Sequence, residues 1–339
     1  MKSLKFDIFS VYRGELMGIA ILGVCIAHAF SWAHLDASIA SKILSPFCRI
    51  AFTEGFLFLS GLGLYYSFQK NDNIVLFYKK RINRVLYPYV IMAFPFLLFK
   101  ALSGEISLLD FILRLSALYF WFCGNDGMWY ISISLALYFI FPLVYKFLFS
   151  ENDIRRVAGK VTLIAIGCIL LCFLMHVYVP NYYAKVEIGL SKVPVFFIGM
   201  FAGYLSYRKT RIPLKYFIGG GTLAITTYLL KREDSFWISY YEIAFRLIMM
   251  PLACTVLMLL HNKKLNNIFS WLGEYSLEIY VLQMFMIGAV DTILKSIGYS
   301  SDFYYIILTT LSFMIVFIIC SPLHRGITSI INKVKSKTT

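Results

Sequence analysis

The chain has 339 residues, of which 60% are hydrophobic and only 15% charged, and its mean hydropathy is +0.74. Soluble domains carry roughly 25% charged residues, so a water-soluble enzyme, a disordered chain and a coiled coil are all excluded. The net charge of +14 comes from basic residues lying between apolar runs, where they signal membrane topology rather than a nucleic-acid partner.

The apolar residues come in runs of about 20 and do not alternate, which argues against a transmembrane β-barrel. They predict an all-α, polytopic membrane helix bundle. Ten spans can be drawn, at 15–33, 43–68, 85–102, 127–149, 159–179, 190–207, 214–230, 241–261, 274–296 and 303–323. Each is long enough to cross roughly 30 Å of hydrocarbon at about 1.5 Å per residue. The stretch 106–122, with Asp110 and Arg114 among its leucines and isoleucines, reads as a short interfacial helix. The first run leads into this polytopic pattern and is expected to be retained rather than cleaved. No linker or repeat divides the chain, so 1–339 reads as one membrane domain.

Of the 32 Lys and Arg, 22 fall in one alternating set of connections and 8 in the other. That asymmetry predicts both termini in the cytoplasm. The seven Cys lie mostly inside apolar runs with no metal-ligand or disulfide spacing, so neither a metal site nor a disulfide framework is expected.

A few polar residues interrupt the apolar runs. His28 closes the first, in the half of the membrane away from the cytoplasm. An ionisable group at that depth is a functional candidate, and imidazole exchanges protons near neutral pH, as a general base requires. Arg49 and Glu54 fall in the second span, also towards the outer side. They line a polar cavity with His28 or pair with neighbouring helices. Glu242 and Arg246, four apart, are placed to pair on one helix face.

Four cations, Lys79, Lys80, Arg81 and Arg84, precede the third span. Two readings are open here. One is an anchor beside anionic lipid. The other is a phosphate site, since Arg81 and Arg84 are three apart and guanidinium grips phosphate bidentately. Arg13 and His28 are 15 residues apart, or about 22 Å along a helix. A phosphorylated donor with a long arm would span that gap.

These residues also carry a resemblance. Tyr12 to Leu22 with His28 is similar to the opening motif of the acyltransferase-3 family: a basic residue, a small-residue apolar helix and a His. Gly55 to Gly61 resembles that family's second span. Arg81-Ile82-Asn83-Arg84, followed by Pro88 and Tyr89, resembles its paired-arginine segment. Met128 to Ile131 with Tyr138 and Pro142, Phe197 to Met200, and Leu272 to Tyr280 resemble its later blocks. Six segments in order cover about residues 10–325.

The resemblance implies a membrane O-acyltransferase of bacterial cell membranes. Such an enzyme moves an acyl group, commonly acetyl from acetyl-CoA, to a hydroxyl of an extracytoplasmic glycan or lipid-linked sugar. His28 stands at the family's catalytic His, and Arg81 and Arg84 stand at its arginine pair facing the donor phosphates. Glu54 is then expected to orient the imidazole and Arg49 to stabilise an oxyanion. Asp126 and Trp129 are candidates for binding the acceptor.

Two positions depart from the pattern. Met17 stands where the family has Arg, with Arg13 one turn earlier. Gln283 stands where it often has His. The competing reading is a transporter or flippase of a lipid-linked sugar.

Overall fold

The computed structural model describes residues 3–5, 7–32, 53–125, 127–229, 236–260, 262–298 and 302–338. Arg49 and Asp126 lie outside these residues. The chain is a polytopic helical bundle. A short strand β1 (Ser3–Lys5) pairs antiparallel with β2 (Arg211–Pro213) at its edge.

The main helices, in chain order after a turn of helix α1 (Ile8–Val11), are α2 (Arg13–Trp32), α3 (Thr53–Lys70) and α4 (Ile74–Leu102). The short helices α5 (Leu108–Leu115) and α6 (Tyr119–Cys123) follow. Next come α7 (Trp129–Leu148), α8 (Ile154–Tyr178), α9 (Pro180–Leu190), α10 (Val193–Tyr207) and α11 (Leu214–Leu229). The chain closes with α12 (Ile238–Leu260), α13 (Lys263–Glu274), α14 (Ser276–Ile297) and α15 (Asp302–Thr338).

Seven stretches among the described residues are long and apolar enough to cross a membrane: α4, α7, α8, α9–α10, α12, and segments of α14 and α15. Helices α2, α3 and α11 occupy the positions of the expected first, second and seventh spans. Helix α8 is the most hydrophobic, with a mean hydropathy of 2.4, yet only 17% of its apolar stretch is buried. Leu163, Ile166, Leu170 and Leu171 point outward from it. Such a surface is stable only against lipid.

Local sequence explains where the helices begin. Asn73 caps α4 by accepting from the Leu76 N–H, and Asp153 caps α8 by accepting from Arg155. Ser107 caps the short α5 in the same way. Helix α4 contains a π-turn at Ile82–Leu86, where the Tyr87 N–H donates five residues back to the Ile82 carbonyl. Pro88 follows at once. It has no N–H to give the Arg84 carbonyl, so the α ladder is broken there.

Two helix pairs make the closest contacts, and both are built on glycine. Gly14 and Gly18 of α2 face Gly273 and Phe269 of α13. A Cβ at Gly18 would stand 1.8 Å from the Phe269 carbonyl oxygen. Gly61 of α3 and Gly199 of α10 face each other's backbones, and a Cβ at Gly199 would meet the Phe58 carbonyl oxygen at 2.1 Å. In lipid, helices associate through such close approach because burying apolar surface adds little. These two seams set the spacing of the walls around the central cavity.

Candidate active site

A cavity of about 460 Å³ lies between α2, α3, α4, α7, α14 and α15. At one end, Arg13, Arg81, Arg84, Glu274, Glu278 and His324 line its mouth. Further along α2 its lining is largely apolar and aromatic, with Val24, Phe56, Trp129, Tyr130 and Tyr280. From Arg13 to Val24 is 11 residues of helix, or about 16 Å.

The three arginines reach the mouth from two elements. Arg13 begins α2, and its Nε donates to the Leu59 carbonyl at 3.2 Å. Its guanidinium lies on Gly63, where a Cβ would meet it at 2.8 Å. Arg81 and Arg84 sit on α4 at its π-turn, a distortion that recurs at functional sites. The Arg81 Nε is buried without a hydrogen-bond partner. Met17 also lines the wall, one turn inside Arg13. The site therefore keeps a guanidinium at its mouth although the motif's usual position holds Met.

The middle of the cavity is polar and aromatic. Ser60 and Tyr138 share a hydrogen bond of 3.3 Å. The Tyr130 ring lies 5.7 Å from Phe56 and 5.8 Å from Tyr280. Tyr280 donates to the Gly127 carbonyl, which ties α14 to the loop before α7. His28 is half-buried on α2. It is not among the lining residues, but it follows Val24 by four positions and so projects from the same face, about 6 Å further along α2. The buried Gln283 amide faces the imidazole.

Glu54 takes the second of the two arrangements its position allowed and pairs with neighbouring helices. Its carboxylate is 1% exposed, accepts a 2.8 Å hydrogen bond from Arg246 and lies 3.8 Å from Lys192. Arg246 also binds Glu242 at 3.1 Å, as the four-residue spacing predicts. Gln283, rather than Glu54, is the described polar side chain against His28. Trp129 is buried, with the Lys192 ammonium 5.4 Å from its ring centre. It is one of the residues that line the cavity.

The sequence reading passed over His324, since the last span was expected to stop at residue 323, whereas α15 runs on to Thr338. His324 Nδ1 lies 2.6 Å from Glu278 Oε1. Ser60 and Tyr138, which lie within two of the resembling segments, also line the cavity. Among the described residues no group of three His, Cys, Asp or Glu is placed to hold a metal.

Residues 16–325 match the acyltransferase domain family known as acyltransferase-3. The chain belongs to that family. Neither a curated protein nor a solved structure matches it. This membrane acyltransferase thus holds three arginines at the mouth of a cavity. A histidine stands one turn past Val24 in its wall.

Proposed function

We propose that this acyltransferase moves an acyl group, acetyl in the first instance, from cytoplasmic acyl-CoA to a hydroxyl of an extracytoplasmic glycan or lipid-linked sugar. The observation that carries this reading is the cavity itself. Its cationic mouth suits a donor's phosphates, and its length suits an extended pantetheine arm. His28 stands where the thioester would arrive. The arginines would bind phosphate through paired N–H groups.

In the chemical step, the His28 imidazole takes the proton of the acceptor hydroxyl. The hydroxyl oxygen attacks the thioester carbonyl, a C–O bond forms and the C–S bond breaks. The imidazolium then returns its proton to the leaving thiolate, releasing free CoA and an O-acyl ester. Gln283 would hold the ring through its amide, which both donates and accepts. The family membership supports transfer of an acyl group, so the flippase reading has no observation in its favour.

The test couples binding and turnover in the detergent-purified protein. Acetyl-CoA at 100 times its dissociation constant is expected to stabilise the fold by about 2.7 kcal/mol. Arg81→Ala/Arg84→Ala is expected to lose that shift. His28→Ala is expected to keep it while acyl transfer falls by about 10²–10⁴-fold or more. A folded His28→Ala protein with full transferase activity refutes the mechanism.

A further inference from the structure

Gln283 is wholly buried on α14, at 0% exposure. Its amide faces the His28 imidazole, yet neither its oxygen nor its nitrogen makes a hydrogen bond within the described residues. An amide buried without partners is costly. Buried polar groups in folded proteins are nearly always paired, and an exception calls for a reason. Packing does not provide one, since an unbranched apolar side chain such as Met fills a similar volume without that cost.

The surroundings do. Helix α14 packs directly against α2. Gln283 follows Tyr280 by three positions on α14, and His28 follows Val24 by four on α2. Tyr280 and Val24 both line the cavity. Residues three or four apart share a helix face, so the amide and the imidazole continue two neighbouring walls just past the lining.

Resting on the donor reading above, we infer that Gln283 is a further catalytic residue, whose amide N–H takes up the charge that develops on the thioester oxygen. As the acceptor hydroxyl oxygen bonds to the carbonyl carbon, the C=O π pair moves onto the carbonyl oxygen. Gln283 Nε2 donates to that oxyanion. When the C=O bond re-forms, the C–S bond breaks and the thiolate leaves with the proton held by His28. A carboxamide has two N–H donors and one acceptor oxygen. Its oxygen can meet the imidazolium while an N–H meets the oxyanion, so one neutral side chain serves both halves of the step. A donor fixed in advance in a water-poor site acts without reorganising during the reaction.

The experiment reads the carbonyl itself. The full-length, detergent-purified protein is loaded with acetyl-CoA, with and without an isotope label at the thioester carbonyl, and infrared difference spectra isolate that band. A hydrogen bond to the oxygen weakens C=O and lowers its frequency. The parent protein is expected to hold the bound carbonyl at a lower frequency than free acetyl-CoA. Gln283→Met is expected to bind acetyl-CoA in calorimetry but to show the band at higher frequency than the parent. Acyl transfer by this variant is expected to fall about 10²–10³-fold, the usual effect of losing one oxyanion donor. Without donor, Gln283→Met and Gln283→Leu are expected to melt no lower than the parent, because each removes an unsatisfied amide. A Gln283→Met band that coincides with the parent's overturns the inference. So do Met and Leu variants that both melt well below the parent, which would make the amide a structural group, and a folded Gln283→Met that binds no acetyl-CoA. A parent protein that binds no acetyl-CoA overturns the donor reading along with the inference, whereas the other failures leave that reading standing.

Discussion

At Glu54 a single carboxylate, almost wholly withdrawn from solvent, is shared by Arg246 and Lys192. Removing one partner of a buried pair strands the other charge, which costs about 3–5 kcal/mol. Glu54→Ala is therefore expected to lower the melting temperature sharply even in the presence of donor, as thermal unfolding in detergent would show. A Glu54→Ala protein that melts like its parent but transfers no acyl group would restore the carboxylate to the chemistry. Arg81 and Arg84, which line the cavity, and His28, which does not, all stood out as candidates because ionisable groups near or within apolar runs are rare and carry information. The particular partners of Glu54 were not legible. Its partner Arg246 lies 192 residues away, and spacing along one helix says nothing about a facing one. His324 was hidden for a simpler reason: hydropathy fades at residue 323, while the helix does not end there.

Between helices, glycine decides how near two backbones come. A methyl group at Gly199 would overlap the Phe58 carbonyl, and backbone cannot step aside as a flexible side chain can. Gly199→Ala is expected to force α3 and α10 apart and destabilise the protein by about 1–3 kcal/mol. It should also weaken donor binding, because α3 carries the Leu59 carbonyl and the Gly63 platform that hold Arg13. Thermal unfolding and calorimetry on the same preparation would separate the two effects. An unchanged melting temperature would show that the seam has slack. The helices themselves were readable from run length, and α5 from its short amphipathic stretch between Ser107 and Ser116. The π-turn was not. Arg81 and Arg84 at a spacing of three suggest an ordinary helix, and only the loss of the Pro88 N–H marks the ladder as broken there.

For the molecule as a whole, the alternation of basic connections predicts that both termini and the arginine mouth face the cytoplasm. Cys123, at the end of α6, is exposed, whereas Cys25, Cys172, Cys254 and Cys320 are buried and Cys168 is partly so. In a Cys48→Ser background, a membrane-impermeant maleimide added outside intact cells is expected to label Cys123. Labelling only after the membrane is opened would invert the orientation.

The apolar part of the cavity lining has a second meaning in that setting. A channel lined by charges and open on both faces would short-circuit the membrane it sits in. Val24, Phe56, Trp129 and Tyr280 line the same cavity as the arginines. On the proposed reading, what crosses is a small acyl group carried on an arm that fills the passage, while ions and the bulk of the donor stay behind. Phe56→Ala/Trp129→Ala is expected to make sealed proteoliposomes leak protons where the parent protein holds a gradient. Such a leak would mean that the residues shaping the donor's path also keep the membrane electrically tight.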